Sequence, residues 1–259
     1  KFLLNTPEFS TTRAELAQKS VDAILDFGEK GFPGILVETI AIFINNLAAP
    51  ANTKVFSLTH RLHLTQPQAY IFDPEFPYWI IYRNQLFDSV CRKLDFDVFE
   101  VFRDRQLTNK LLSSSGELRV LKSRNLSDDG KEILDIPGYD SYISYAAAKP
   151  LSVFQYLDAP NVYLTPNMTY KPRMMKKPPH CVVNGSLAIL IPKGGIVPTE
   201  KQLAYFSSEE YRAFYQIARN FQTRSLNVDA CSVFFYGLLR DEAKPAPEKF
   251  DTSVQLSFL

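Results

Sequence analysis

The sequence predicts a short α/β segment followed by a larger mixed α+β, β-rich domain. Two apolar runs, residues 21–27 and 35–44, barely alternate, as strands covered on both faces do. Residues 45–52 hold Asn-Asn, Ala-Ala-Pro and Asn, a turn-rich connector. Beyond it, short alternating runs recur between Gly and Pro punctuation. The expected division is 1–46 and 53–259.

Residues 8–20 have helical spacing, with Phe9, Leu16 and Ala17 on one side and Arg13, Glu15 and Lys19 elsewhere; Ser10 or Thr11 is the expected cap. Gly28 ends the first strand, and 31–34 turns through Pro33. After the connector, 54–58 and 68–72 read as strands. Residues 82–94 read as a helix with Leu86, Phe87, Val90 and Leu94 on its stripe. Residues 98–102 and 118–122 alternate as strands, with a Ser-rich turn between them. Residues 171–179 carry three prolines and four basic residues, which predicts an extended exposed loop. Asn184-Gly185 between 181–183 and 186–191 predicts a hairpin. Residues 199–221 read as helix, broken near Ser207-Ser208, with Ser208 as a cap and Phe214, Ile217, Ala218 and Phe221 buried. Residues 232–238 read as a late strand, and the tail after Arg240 as loosely tied.

Composition bounds function more weakly. The net charge of +1 announces no global basic field, so a nucleic-acid surface would have to be local. Three unpaired cysteines, Cys91, Cys181 and Cys231, point to reduced thiols and a cytoplasmic protein. His60, His63 and His180 lack the neighbours of a metal site, so no metal is expected. No apolar run reaches the ~18 residues of a membrane span, and no membrane partner is expected. The chain starts at Lys1 and within an element, which reads as a piece of a longer protein. It contains no G-x-S-x-G, H-E-x-x-H or phosphate-binding G-x-x-x-x-G-K-[ST].

Two sets of residues carry a family resemblance. One is Val183-Asn184-Gly185-Ser186-Leu187-Ala188-Ile189-Leu190-Ile191-Pro192, then a helix, then Arg224-Ser225-Leu226-Asn227-Val228. The other is Lys1-Phe2-Leu3-Leu4-Asn5, Arg13-Ala14-Glu15-Leu16, Ile24-Leu25-Asp26-Phe27-Gly28 and Val37-Glu38-Thr39-Ile40-Ala41-Ile42-Phe43. Together they resemble the C-terminal part of bacterial adenine-N6 DNA methyltransferases of type II restriction–modification systems. Residues 1–45 resemble the end of the catalytic domain, and 54–240 a TaqI-like target-recognition (specificity) domain.

The resemblance implies double-stranded DNA as partner and S-adenosyl-L-methionine as methyl donor of the parent enzyme. It also implies an upstream catalytic domain and, in a restriction system, a cognate endonuclease acting on the same site. The cofactor loop and the Asn/Asp-Pro-Pro-aromatic motif that holds an extruded adenine are absent from this sequence; Pro178-Pro179 sits between Lys177 and His180. No catalytic or cofactor residue is therefore expected here, and the chain alone should not transfer methyl groups. The alternative is a stand-alone DNA specificity subunit recruiting a separate catalytic chain, against which residues 1–45 argue. A non-nucleic-acid α/β enzyme is the third reading.

Four clusters are the expected DNA contacts. Arg103, Arg105, Asn109 and Lys110 suit base edges: Arg and Lys pair with guanine O6/N7, Asn with adenine N6/N7. Lys122, Arg124 and Asn125 follow a strand and suit phosphates. Tyr170, Lys171, Arg173, Lys176 and Lys177 form a basic loop. Arg224 and Asn227 follow a helix. The plainer readings are an internal ion-pair network for Arg103-Asp104-Arg105, solvated charges for Lys122 and Arg124, and helix capping for Arg224. Tyr139, Tyr142 and Tyr163 read as core or hydrogen-bonding residues.

Overall fold

A computed structural model describes residues 1–223 and 227–241. The chain divides into two compact units. Unit 1 takes Lys1–Lys93, the described residues of Phe214–Leu226 and Asp241; unit 2 takes Leu94–Ala213 and Asn227–Arg240.

Unit 1 is built on a mixed sheet of β1 (Ser20–Gly28), β2 (Thr39–Asn45), β3 (Asn52–Ser57) and β4 (Leu62–Pro67), in the order β2-β1-β3-β4. β1 runs parallel to β3 and antiparallel to β2. The connector at 45–52 therefore lies within one sheet. The turn-rich composition marks a crossover between strands, and the division of the chain falls at Lys93/Leu94.

Other elements of unit 1 also differ from expectation. β2 starts at Thr39, because Ile35, Leu36 and Val37 stay exposed before it. It is an edge strand with Phe43 and Ile44 exposed, so the sheet is not covered on both faces there. Residues 68–72, expected as a strand, form α3 (Gln68–Ile71) instead, after α1 (Phe2–Asn5) and α2 (Ser10–Ala17). The buried Gln68 side chain explains this. Its Oε1 accepts from Val21 N at 2.8 Å, and its Nε2 donates to Ala17 O and Lys19 O. That position ties the end of α2 to β1, and a strand would turn it away. The helix at 82–94 is confined to α4 (Gln85–Cys91), with the Asn84 side chain accepting from Phe87 N.

Arg13 is the buried residue of α2, and Phe9 is exposed. The guanidinium of Arg13 donates to Leu3 O, Thr6 O and Pro77 O, so hydrogen bonding and not apolarity selects the inward face.

Among the described residues, unit 2 has three sheets. β5 (Leu94–Asp95) and β13 (Leu238–Leu239) form a small pair. β6 (Phe99–Phe102), β9 (Tyr163–Pro166), β10 (Met175–Lys176) and β12 (Leu187–Pro192) form the order β10-β9-β12-β6, all antiparallel. β7 (Leu118–Leu121), β8 (Ser141–Ile143) and β11 (Cys181–Val183) form the third, with β7 parallel to β11. A core of Val120, Leu121, Ile143, Leu164, Leu187 and Ile189 fills the space between these two larger sheets. The short α5 (Tyr145–Ala148) adds Ala148 to it.

No hairpin joins 181–183 to 186–191. β11 and β12 belong to different sheets, and Asn184-Gly185-Ser186 is the crossing. Asn184 Oδ1 accepts from Ser186 N and Oγ, and Asn184 N donates to Leu121 O. Gly185 lies against Asp104 O, which a Cβ would approach to 2.6 Å. The Asn-Gly pair supplies a tight turn, but its partner strands lie elsewhere.

The helical region at 199–221 breaks as expected into α6 (Glu200–Tyr205) and α7 (Glu209–Ala218). Thr199 caps α6 in a capping box with Gln202, and Ser208 Oγ accepts from Tyr211 N. The late strand is instead a 3-10 turn, Ser232–Phe235, followed by β13. The tail beyond Asp241 lies outside the described residues. No helix among the described residues is long and apolar enough to cross a membrane.

Candidate nucleic-acid interface

Strand direction brings the basic clusters of unit 2 together. β6 and β9 run one way and β12 and β10 the other, so the ends of β6 and β9 and the starts of β12 and β10 share one rim. The ends of the parallel strands β7 and β11 reach the same place. Ser123 N donates to Ser186 Oγ at 2.9 Å, and Asn167 Nδ2 donates to Gly185 O at 3.0 Å. Loops following four strands thus converge around Asn184-Gly185-Ser186.

The first loop carries Arg103 and Arg105. Arg103 is half-buried, and its guanidinium donates to Asn167 Oδ1 at 3.4 Å. Burial, and then the positive charge of Arg105, hold it below the usual arginine range. Arg105 is exposed. Asp104 between them turns its carboxylate to the backbone N–H groups of Gln106 and Leu107, at 3.3 and 2.8 Å, so both arginines keep donors for a ligand. Asn109 and Lys110 sit further along, exposed in a 3-10 turn.

The second loop places Lys122 and Arg124 on the Tyr139 ring, 3.9 and 4.6 Å from its centroid. Lys122 also donates to Tyr139 O and Ser141 Oγ, and burial lowers its ammonium pKa. Asn125 is fully buried. It accepts from Lys122 N and donates to Leu134 O and Asp140 Oδ1, so it holds the loop and is removed from the contact set.

The third segment corrects the expected exposed loop. Tyr170, Lys171 and Lys176 are exposed, but Arg173 and Lys177 are buried. Arg173 donates to Lys171 O, Ser123 O and Leu126 O, bracing the loops after β7 and before β10. Lys177 donates to Leu157 O at 2.7 Å and Pro178 O at 3.0 Å. Carbonyl oxygens from neighbouring segments take these charges inward; proline content alone does not report such acceptors. Lys176 lies opposite Tyr163, away from the rim.

The fourth cluster is only partly placed. Asn227 is half-buried, and its Oδ1 accepts from Asn167 Nδ2 at 3.0 Å. Arg224 lies outside the described residues.

The rim residues are therefore Arg103, Arg105, Lys122, Arg124, Tyr170 and Lys171. Two residues not foreseen organise it. Asn167 bonds Gly185, Asn227, Val228 and Arg103, and Tyr139 carries two cations. Asn167 follows an apolar strand ending in Pro166, a signal of a strand end and not of a hub. Tyr139 follows Pro137-Gly138, which marks only a turn.

Burial holds the Lys177 ammonium below the ordinary lysine range. The folded protein then loses this proton at lower pH than the unfolded chain, so between the two pKa values the unfolded chain binds more protons. Stability rises with pH across that window. Lys177→Met should reduce this rise. Urea unfolding of both proteins at neutral and alkaline pH tests it, and an equal rise in the two would exclude Lys177 as its source.

The chain matches none of the protein-family models, and no curated protein matches it.

Proposed function

We propose that this rim binds duplex DNA, as the target-recognition part of an S-adenosylmethionine-dependent adenine-N6 DNA methyltransferase. The observation that carries the reading is the convergence of Arg103, Arg105, Arg124 and Lys171 from three loops on one edge of unit 2. The chain as a whole is nearly neutral, so this concentration of cations is local. Arg124 and Lys171 suit phosphates, and Arg103 and Arg105 suit guanine edges. Methyl transfer itself belongs to motifs that this sequence does not contain. A restriction endonuclease acting on the same site is the implied companion.

The test is a binding titration at two salt concentrations on duplexes of different sequence. Arg124→Ala with Lys171→Ala should weaken all duplexes alike. It should lower the slope of log K against log salt by about 1.8, two contacts at about 0.9 each. Arg103→Ala or Arg105→Ala should relax preference at particular base pairs, by about 1–3 kcal/mol of discrimination. Lys177→Met should leave the slope unchanged, because that charge is buried. An unchanged slope in the double variant would overturn the reading.

A further inference from the structure

Beside the rim, a pocket of about 470 Å³ opens on the loops after β7 and before β10. Leu126, Leu134 and Ile136 give it an apolar surface, and Arg124, Arg173 and Asp128 line it with charge. The mixture narrows the ligand. A phosphate alone suits two arginines but not an aspartate on the same wall. A purely apolar ligand would strip water from the charged groups without replacing it. A flat ring with apolar faces, acceptors on one edge and donors on another satisfies all six.

Among the bases, guanine has this pattern. O6 and N7 accept from a guanidinium, and N1–H and N2–H₂ can donate to a carboxylate. The pocket is large enough for one nucleotide by the usual range of small-ligand sites. Asp128 is exposed, and its ion pair with Lys171, at 3.7 Å, leaves the carboxylate accessible. Arg124 is exposed over Tyr139, while Arg173 is fixed by three carbonyl oxygens, so one arginine adapts and the other is preset.

We infer that this pocket takes an unpaired guanine base, read by Arg124 or Arg173 on its O6/N7 edge and by Asp128 on its N1/N2 edge. In paired DNA the second edge is hidden, so the ligand is a guanine outside the double helix. Only the source of that base in DNA rests on the proposed function.

Two arms separate the possibilities. In the first, the protein is titrated with dGMP, dAMP, dCMP and dTMP by calorimetry. dGMP should bind at least about tenfold more tightly than dAMP, a preference of about 1.4 kcal/mol, and Asp128→Asn should abolish that preference. Leu134→Asp, which spoils the apolar wall, should weaken dGMP even if Asp128→Asn perturbs the loop. Equal affinity for dGMP and dAMP would overturn the inference. In the second arm, duplexes carrying guanine opposite an abasic site are compared with fully paired ones. Tighter binding of the first supports a base presented from DNA. A dGMP preference without that difference keeps the pocket and overturns DNA as its source. Binding of dGMP without binding of any duplex leaves the pocket standing and refutes the DNA interface.

Discussion

Asn220→Ala should lower the stability of unit 1 by about 4 kcal/mol. Asn220 is fully buried and joins distant segments. Its Oδ1 accepts from Ile81 N at 2.9 Å, and its Nδ2 donates to Asn5 Oδ1 and Trp79 O, both at 2.7 Å. Truncation leaves three buried groups without partners, each costing about 1–3 kcal/mol. The backbone adds to this, because Asn220 has φ 48°, where Asn is tolerated better than Ala. Asn220→Asp is the sharper control. It keeps the acceptor for Ile81 N but turns a carboxylate toward two oxygens, so it should cost at least as much. Denaturant midpoints and slopes give the answer; a loss under about 1 kcal/mol would show that these bonds do not hold the segments together.

Asp26→Ala should cost about 3–5 kcal/mol, the range for removing one partner of a buried charge pair. The Asp26 side chain is buried on β1, and Lys1 Nζ lies 2.6 Å from its Oδ2 with a side chain almost as inaccessible. The Tyr82 hydroxyl donates to the same oxygen at 2.6 Å, and Gly28 N to the other at 2.9 Å. Burial first, and the Asp26 charge second, hold the Tyr82 phenol protonated far above its ordinary range. Glu38 remains 3.5 Å from Lys1 Nζ, so the ammonium would keep one weaker partner. Tyr82→Phe removes only one hydrogen bond and should cost about 1–2 kcal/mol. If calorimetric melting gives equal losses for the two variants, the charge pair contributes nothing beyond the phenol bond.

The elements legible in the sequence are those whose signal is local. β1 has its apolar run and its terminal Gly28, and α6 and α7 have Thr199 and Ser208 at their starts. What the sequence hid depends on partners far away along the chain. Residues 78–82 are buried without forming a helix or strand, because Ile80 N finds Ile71 O and Ile81 N finds Asn220. Asn184-Gly185 announced a turn, and nothing near it said that the two flanking strands would join different sheets. The basic clusters were visible as charge, but their burial was not. Arg173 and Lys177 resemble Lys171 in composition and differ only in having carbonyl oxygens within reach.

The order in which the chain is made follows from the segments of unit 1. Asn220 meets Ile81 at a sequence separation of 139 and Asn5 at one of 215. A ribosome delivers residues 94–213 before it delivers Asn220. At about 5–20 residues per second, the strip from Tyr78 to Tyr82 waits roughly 7–28 seconds for the group that satisfies it. Unit 2, complete but for a short return, is largely assembled in that interval. A chain released just before Phe214 would therefore carry most of the second unit beside a first one whose apolar strip is still open.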